Sequence, residues 1–561
     1  MSYAHPMFLL FIPLLFVSGG EAESTSSLSP QIQSITAEVV SVSPFTFRFT
    51  VQAGEQEDAL TYFWDPGDGT PPVAGSSTQE FTLAKNNTYT VTATVQDAAG
   101  NKSQASVRVT TELTTVRVDT ARTYQMMEGF GGFGAQNYPW TNGPFTSERF
   151  VSDLVEDLGL TIIRDEVPTN LEIENDNDDP QAIALSNFNI SKNYPGHHRP
   201  LGTRLQYLRD LKAANPDIKF IASVWSPPPW MKANHAVDNA TDQNSAPSYD
   251  PTPEEDDNQL LPEYYEEFAE LCVAYTKILK QECDIDLFAF SIQNEPRFSQ
   301  SYQSCLYHGE ALRDLLKVVG RRFENEGLAT RLLVPEDVGH YEGIQSLVQP
   351  LLDDPEARQY ADILAVHGYA FDGITAGSQD AATWEAMYQW GAPYDIPLWM
   401  TETSGFENSL DGALDLAKAM FTAIRYGNVS AWLFWTISGG DRLDAYNLMT
   451  ADGEKSKRYY VSKQFYRYVR PGALRMEGST EKEGLLILSF RHPEQRTATV
   501  ILINTTDSDQ ATEIDMSGLP SRLSVYRTSE DQDCQETDAL TTENNRLLLN
   551  AKSVTTLYGS Y

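Results

Sequence analysis

Apolar and polar residues alternate along residues 45–51. Phe45, Phe47, Phe49 and Val51 share one face of this segment, while Thr46, Arg48 and Thr50 share the other. A period of two is that of a strand with one buried face. The same alternation of apolar and polar residues occurs around residues 89–95 and 107–109. The Asp- and Gly-rich segment 65–70 favours a tight turn. The pattern predicts an immunoglobulin-like β-sandwich over residues 32–113.

From residue 116 onward, short apolar runs alternate with amphipathic stretches. The predicted strands are 129–135, 161–164, 219–225, 288–294, 331–336, 363–369, 397–402 and 431–435, and the clearest helical runs are 201–214, 262–281, 309–326 and 411–426. Eight strands with crossovers predict a closed parallel (β/α)8 barrel over residues 114–458. A doubly wound open sheet is the alternative, although it rarely uses eight such units.

No helix is expected beyond Tyr459, where segments 485–490, 497–503 and 547–557 follow a strand pattern. They predict a side β-domain over residues 459–561, arranged as a β-sandwich, with a strand near 115–118 as a candidate member. The predicted fold class is therefore α/β: a barrel with a C-terminal side β-sandwich and an N-terminal immunoglobulin-like sandwich.

Charge and targeting signals narrow the function. The chain has 561 residues and a formal net charge of −37, which disfavours nucleic acid and anionic membranes as partners. An apolar run over residues 7–17 followed by small residues predicts a signal peptide at 1–22, before a Ser/Thr-rich linker at 23–31. We therefore expect a secreted, cell-surface or periplasmic protein without a membrane span. The four cysteines form neither a disulfide framework nor a zinc ligand set, and we expect no metal and no cofactor.

Two glutamates follow predicted barrel strands. Glu295 lies just past the fourth strand and Glu402 ends the seventh, so both should stand at the rim where barrel enzymes place their active sites. Hydrolysis of a glycosidic bond needs two carboxyl groups, and a separation of about 5 to 5.5 Å gives retention of configuration. In this interpretation Glu295 is the acid/base, in surroundings that keep it protonated, and Glu402 is the ionised nucleophile.

Polar residues near the same rim complete the candidate site. Arg164 and Tyr369, which end the second and sixth predicted strands, are expected to donate hydrogen bonds to Glu402. Asn294 is placed to bind a sugar hydroxyl next to the reacting carbon. His367 is equally compatible with a core histidine and with a role at the rim.

Aromatic side chains at the rim favour a sugar substrate, because sugar rings present apolar faces. Trp225 and Trp435 end predicted strands and are the preferred platforms. A proline-rich turn over residues 226–232 would aim Trp230 at the cleft, or would be a rigid loop alone. Further aromatic candidates are Tyr138, Trp140 and Phe371.

Several of these motifs occur together and in a fixed order: GFGGFG at 129–134, WSPP at 225–228, QNEP at 293–296, HGY at 367–369, TE at 401–402 and FYRYVRPG at 465–472. The combination closely resembles glycoside hydrolase family 30, from about residue 116 to the C-terminus. The turn at 64–70 with the strand at 89–95 resembles the PKD module of secreted bacterial enzymes. The family resemblance implies a barrel fused to a side β-domain, net retention without a cofactor, Glu295 as acid/base, Glu402 as nucleophile, and sugar contact by Asn294.

The substrate stays open at this point. Relatives of this kind cleave xylans, β-1,6-linked glucans or galactans, or glucosylceramide, so an endo-acting hydrolase of a β-linked polysaccharide or oligosaccharide and a glucosylceramidase-type exo-hydrolase are both compatible. Arg297 or Arg442 would suit a uronic-acid branch, or each is an ordinary surface arginine. Two other classes are a glycan-binding or adhesive protein without catalysis and, if the leader is spurious, an intracellular metal-dependent hydrolase.

Overall fold

A computed structural model describes residues 29–54, 59–134, 148–177, 179–197, 199–240, 248–252, 254–369 and 380–561. The chain divides into two compact units, Met1–Glu112 and Leu113–Tyr561. The leader and most of the linker predicted from the sequence lie outside the described residues, as do Tyr138, Trp140 and Phe371. No helix within the described ranges is both long enough and apolar enough to cross a membrane.

The first unit is a β-sandwich of two antiparallel sheets, ordered β1-β2-β5 and β4-β3-β6-β7. The alternating residues from Phe45 to Val51 point inward as predicted, and they surround the fully buried Trp64, whose indole nitrogen donates to the carbonyl of Ser76 at 2.9 Å. The strands are β1 (Ile32–Val42), β2 (Phe45–Ala53), β3 (Thr61–Asp65), β4 (Val73–Gly75), β5 (Thr78–Thr82), β6 (Thr88–Gln96) and β7 (Lys102–Thr110).

The second unit combines strands and helices that alternate as far as Tyr466 and then gives way to strands. Its strands up to that point are β8 (Thr114–Met126), β9 (Gly129–Phe133), β10 (Ile162–Val167), β11 (Lys219–Val224), β12 (Ser248–Tyr249), β13 (Ala289–Ser291), β14 (Phe298–Ser299), β15 (Arg331–Asp337), β16 (Ile363–His367), β17 (Leu398–Glu402) and β18 (Ala431–Phe434). Its α-helices are α1 (Glu148–Ser152), which continues as a π-helix over Asp153–Leu158, α2 (Leu205–Ala214), α3 (Tyr265–Cys283), α4 (Gly309–Asn325), α5 (Tyr341–Asp353), α6 (Pro355–Arg358), α7 (Ala381–Gly391), α8 (Leu410–Tyr426) and α9 (Lys457–Tyr466). Short 3-10 helices cover Leu185–Asn187, Leu201–Thr203, Pro229–Met231, Pro262–Tyr264 and Ala392–Tyr394.

Eight parallel strands close into a barrel in the order β9-β10-β11-β13-β15-β16-β17-β18, with β18 paired back to β9. This confirms the predicted (β/α)8 architecture. Alternate strand residues, including Ile162, Ile221 and Trp399, form a small core of their own, while the opposite faces join the larger core that includes the helices. Glycine at 131 is required by close approach, because a Cβ atom there would lie 1.7 Å from the carbonyl oxygen of Ile162.

Two strand boundaries differ from the prediction in ways that matter for the site. The second barrel strand continues to Val167, so Arg164 lies inside it and not at its end. The fourth barrel strand covers only Ala289–Ser291, so Glu295 stands on the loop that follows. The orientations of the Arg164 and Glu295 side chains therefore depend on tertiary contacts as well as on the strand register.

The side domain contains nine strands in the order β24-β23-β26-β21-β20-β19-β8-β22-β25. The strand predicted near 115–118 belongs to it, since β8 pairs with both β19 and β22. Residues from the outermost strands, Leu540 and Leu549, share one core with Val500, so the sheet folds back on itself as a sandwich does. Its remaining strands are β19 (Leu474–Ser479), β20 (Leu485–His492), β21 (Thr497–Asn504), β22 (Gln510–Ile514), β23 (Arg522–Thr528), β24 (Gln535–Thr541), β25 (Arg546–Leu549) and β26 (Ser553–Ser560).

The expectation that helices stop at Tyr459 is wrong, because α9 continues to Tyr466. This helix lies between the barrel and the side sheet. Its Tyr466 hydroxyl donates to the carbonyl of Gly131 at 3.0 Å, and its Gln464 amide donates to Thr528 at 2.9 Å. Because the helix is buried on nearly every side, it lacks the polar face by which an amphipathic helix is recognised in a sequence.

Candidate active site

The two predicted glutamates meet at the C-terminal rim of the barrel. One carboxylate oxygen of Glu295, one of Glu402 and one ring nitrogen of His367 all lie within 4.8 Å of one another. Both glutamates are buried, at 6% and 4% exposure. Glu295 adopts a left-handed backbone conformation with φ of 49°, and its N–H donates to the carbonyl of Glu336 at 2.9 Å. The loop is thereby fixed so that the Glu295 carboxyl faces Glu402.

Arg164 is a fully buried hub of the site. Its guanidinium contacts Glu402 at 2.5 Å, the side-chain oxygen of Asn294 at 2.6 Å and Glu336 at 3.0 Å. The indole of Trp225 covers it, with the guanidinium carbon 4.6 Å from the ring centroid. The predicted hydrogen bond to Glu402 is present. Because these neighbours occupy the guanidinium, Arg164 orients other site residues from inside the barrel.

Tyr369 and His367 contact the carboxylates from the sixth barrel strand and the loop after it. The Tyr369 hydroxyl donates to the other oxygen of Glu402, as the sequence predicted. His367 is fully buried, with Nδ1 3.1 Å from Glu295 Oε1 and Nε2 3.8 Å from Glu336 Oε1. His367 is thus a buried histidine that also contacts the glutamate pair, and its role toward a substrate stays a prediction.

The pKa values of Glu295 and His367 are both shifted from their ordinary values. Burial raises the pKa of Glu295 to about 6, with a further contribution from the negative charge of Glu402 and an opposing one from His367. Burial alone would lower the pKa of His367, but the charge of Glu402 and the contacts with Glu295 and Glu336 raise it to about 9. At neutral pH His367 is therefore an imidazolium between carboxylates.

Glu336 was missed by sequence reasoning. It lies near the end of β15, has no exposed surface, and contacts both Arg164 and His367. Burial would raise its pKa, but the charge of Arg164 and the contact with His367 outweigh it and lower the pKa to about 2. The available signal was its position, because an acidic residue at the carboxyl end of a barrel strand points to the rim.

Replacing Glu336 should destabilise the fold. In Glu336→Gln the buried charge of Arg164 loses a partner, and we expect the free energy of unfolding at pH 7 to fall by about 3 kcal/mol. Because the folded pKa lies below the ordinary 4.5, ionised Glu336 stabilises the protein above about pH 4.5 and this contribution is lost as the pH falls toward 2. Denaturant titrations at several pH values should show that the difference in free energy of unfolding between Glu336→Gln and wild type becomes smaller as the pH falls from about 4.5 toward 2. Equal stability at pH 7 would contradict the prediction, and Glu407→Gln, at an exposed carboxylate, is the control.

The aromatic candidates divide into two groups. Trp225 and Trp435 lie together, with ring centroids 5.9 Å apart, and Phe133 packs against both. Trp435 keeps a partly exposed ring, whereas Trp225 is buried beneath it at 5% exposure. Trp230 has other neighbours: its indole nitrogen donates to the carbonyl of Glu172 at 3.2 Å, and its ring packs edge-on against Tyr264. The rigid-loop interpretation of the proline turn accounts for these contacts of Trp230.

Glu295, His367 and Glu402 are also the group of three that could hold a metal ion within the described part of the chain. All four cysteines are buried free thiols, and Cys272 and Cys283 both lie on α3.

Arg297 is not the surface arginine considered in the sequence analysis. It is buried at 7% exposure, and its guanidinium contacts Asp337 at 2.7 Å and the carbonyl of Val338 at 2.9 Å. This ion pair occupies the side chain, which removes it as a receptor for a uronic-acid branch. Arg442, by contrast, is exposed.

Comparisons with known proteins agree with this geometry. Residues 156–418 match the glycosyl hydrolase family 30 TIM-barrel domain, and residues 28–111 match the PKD domain. The chain is 25% identical to glucuronoxylanase XynC of Bacillus subtilis over 456 residues, covering 79% of this chain and 90% of the relative. It is 25% identical to an endo-1,6-beta-D-glucanase of Aspergillus fumigatus over 358 residues, covering 60% of this chain and 67% of the relative.

Among solved structures, a family 30 subfamily 8 xylanase from Clostridium acetobutylicum superposes with a TM-score of 0.63 at 21% identity, covering 80% of this chain and all of that one. This likeness concerns the fold. A parallel barrel that carries this family's sequence pattern and a pair of carboxylates at its rim defines a glycoside hydrolase. Residues 156–418 of the barrel are a glycoside hydrolase family 30 domain, and residues 28–111 are a PKD domain.

Proposed function

We propose that this chain is a secreted, retaining, endo-acting hydrolase of a β-linked polysaccharide, with Glu402 as nucleophile and Glu295 as acid/base. The observation that carries the proposal is the approach of the two carboxylates to within 4.8 Å. At such a separation both can reach one anomeric carbon, whereas inverting enzymes keep about 6.5 to 9.5 Å for a water molecule.

The contacts of each carboxylate support its role. Arg164 and Tyr369 each donate a hydrogen bond to Glu402, one to each oxygen, and these two bonds hold the carboxylate in place for attack on the anomeric carbon. Glu295 has a pKa raised to about 6 and can therefore hold a proton for the leaving oxygen. In the second step the same carboxylate removes a proton from water as the oxygen of that water attacks the glycosyl-enzyme ester.

Retention is the first expected result. Wild-type enzyme should release sugar with a β-configured reducing end, which then mutarotates to the equilibrium mixture. Proton NMR during the first minutes of hydrolysis of xylan, β-1,6-glucan and β-1,6-galactan, together with a reducing-sugar assay, tests this. Initial release of the α-anomer would disprove retention. If no β-linked glycan is cleaved while calorimetry detects binding, a glycan-binding protein without catalysis is the correct description.

The second expected result concerns the pH dependence of kcat/KM. Because the pKa of Glu295 is raised to about 6, the proton needed in the first step is present below that pH and is lost above it. We expect kcat/KM to fall about tenfold per pH unit on the alkaline side. His367 lowers the Glu295 pKa, so in His367→Asn the alkaline limb should move to higher pH. If the alkaline limb lies at the same pH in His367→Asn as in the wild type, the proposed contact between His367 and Glu295 is contradicted.

Secretion rests on the leader predicted at residues 1–22. Full-length protein expressed in a secreting host should reach the medium with a new N-terminus near residue 23. Protein retained in the cell with an intact N-terminus would contradict the expectation.

A further inference from the structure

Two exposed tyrosines stand on loops that flank the carboxylate pair. In the second unit, large apolar side chains are exposed, within the described residues, at Met126, Tyr302, Tyr394, Tyr446 and Tyr561. Tyr302 and Tyr446 are 45% and 47% exposed, and each belongs to a loop that follows a barrel strand at its carboxyl end. Exposed aromatic rings at the mouth of a cleft are surfaces for a ligand with an apolar face.

The loop that carries Tyr302 is tied to Glu295. The N–H of Phe298 donates to the carbonyl of Glu295 at 3.0 Å, and the N–H of Tyr307 donates to the carbonyl of Pro296 at 2.8 Å. Next to Tyr302, the buried Gln303 donates to Thr169 at 3.2 Å. The tyrosine is thus held on a short rigid loop that begins at the proton donor.

A buried lysine strengthens this loop. Lys232, which has no exposed surface, donates to the carbonyl of Ser304 at 2.8 Å and to the hydroxyl of Ser226 at 3.0 Å. Tyr302 also lies close to Tyr369: burial and the charges of Glu402 and Glu295 raise the pKa of the Tyr369 hydroxyl, and Tyr302 adds to that rise.

The loop that carries Tyr446 is tied to the opposite side of the site. The carbonyl of Tyr446 accepts from the N–H of Thr436, next to Trp435, and the carbonyl of Ala445 accepts from Gly405 at 3.0 Å. The N–H of Tyr446 donates to Asp444 at 2.7 Å. These bonds tie the loop at Tyr446 to the segments that follow β17 and β18, next to Trp435.

We infer that Tyr302 and Tyr446 are aromatic platforms for sugar units on either side of the unit that is cleaved. The ligand they fit is an extended glycan chain, whose rings stack on both tyrosines while an internal bond lies between Glu295 and Glu402. The inference rests on the proposed function and names the residues that would select a long glycan chain. It predicts that the enzyme cleaves internal bonds of a long glycan chain and does not release single terminal sugars.

The test compares long and short substrates. In Tyr302→Ala and Tyr446→Ala, KM for the cleaved polysaccharide should rise about tenfold each, the loss expected when one aromatic face is no longer covered. The loss of kcat/KM on an aryl β-monoglycoside should be much smaller than on the polysaccharide, because the monoglycoside does not reach the outer platforms. The variant Tyr446→Phe keeps the ring and should retain the wild-type KM.

Tyr394 is the matched control. It is 44% exposed, but it lies just before β17 at the opposite end of the barrel, where the guanidinium of Arg358 covers its ring at 4.4 Å. Tyr394→Ala should leave KM for the polysaccharide unchanged. Unchanged KM in both Ala variants at Tyr302 and Tyr446, or an equal loss with the monoglycoside, would overturn the inference.

A binding measurement separates this inference from the proposed function. Affinity electrophoresis in gels that contain the polysaccharide reads binding without turnover. Full-length Glu402→Gln should be retarded, and addition of Tyr302→Ala or Tyr446→Ala should relieve the retardation. If the wild type cleaves no glycan but these shifts occur, the proposed function fails and the platforms stand. If the wild type cleaves glycan and the shifts are absent, the platforms fail alone.

Discussion

Glu402→Gln should lower kcat by on the order of 10⁴-fold or more, since the covalent route through the enzyme is removed. The amide keeps the size of the side chain and can still contact Tyr369, but it cannot attack the anomeric carbon. Steady-state kinetics on the cleaved polysaccharide and on an activated aryl glycoside measure the loss. Both substrates should be affected, because both need the nucleophile.

A smaller variant at this position can identify the role directly. In Glu402→Ala, azide should enter the space left by the carboxylate and give the α-glycosyl azide from an activated β-glycoside. Glu407→Gln, five residues further at an exposed position, should behave as wild type. Activity near the wild-type level in Glu402→Gln, or formation of the β-azide in Glu402→Ala, would contradict the assignment of the nucleophile.

Glu295→Ala is expected to have the second-largest effect, and that effect should depend on the leaving group. Loss of a general acid costs about 10² to 10⁴-fold when the leaving oxygen needs a proton. We expect a loss of this size on polysaccharide and a much smaller loss in the first step with dinitrophenyl glycosides, whose leaving group departs without a proton. The glycosyl-enzyme should then accumulate, which a burst of dinitrophenol would reveal.

External azide also distinguishes this variant from the nucleophile variant. In Glu295→Ala, azide should attack the glycosyl-enzyme from the face normally used by water, giving the β-glycosyl azide and restoring turnover. Equal losses on all leaving groups would show that Glu295 does not supply the proton. The opposite azide products at positions 295 and 402 would assign both roles in one experiment.

The pattern of apolar and polar residues was enough to predict the β-sandwich and the barrel. The alternation around Phe47 predicted the sandwich, and eight apolar runs predicted the barrel, because each strand has to bury its side chains in a repeating way. Glu295 and Glu402 were placed at the rim because Glu295 follows a predicted strand and Glu402 ends one. The side chains of Arg164 and Tyr369 reached Glu402 as expected, since the barrel brings strand ends together.

Other features depend on packing that no local pattern records. The position of Glu336 at the end of a predicted strand indicated the rim, but its contacts with Arg164 and His367 depend on the closed barrel. Helix α9 was cut short in the prediction because its buried faces follow no helical period. Trp230 faces Tyr264 because of the particular course of the proline loop. Tyr302 and Tyr446 became apparent only when exposure could be read from the structure.

The pairing of β8 has a consequence for how the protein is made. This strand precedes the barrel in the chain, yet its sheet partners β19 and β22 follow the barrel. During synthesis β8 leaves the ribosome early and stays without these partners until nearly the whole catalytic domain has emerged. Bringing such distant segments together is slow, because the entropy of a long loop has to be lost first. A catalytic fragment that ended before Leu474 would carry an orphaned edge strand, a site for aggregation between chains.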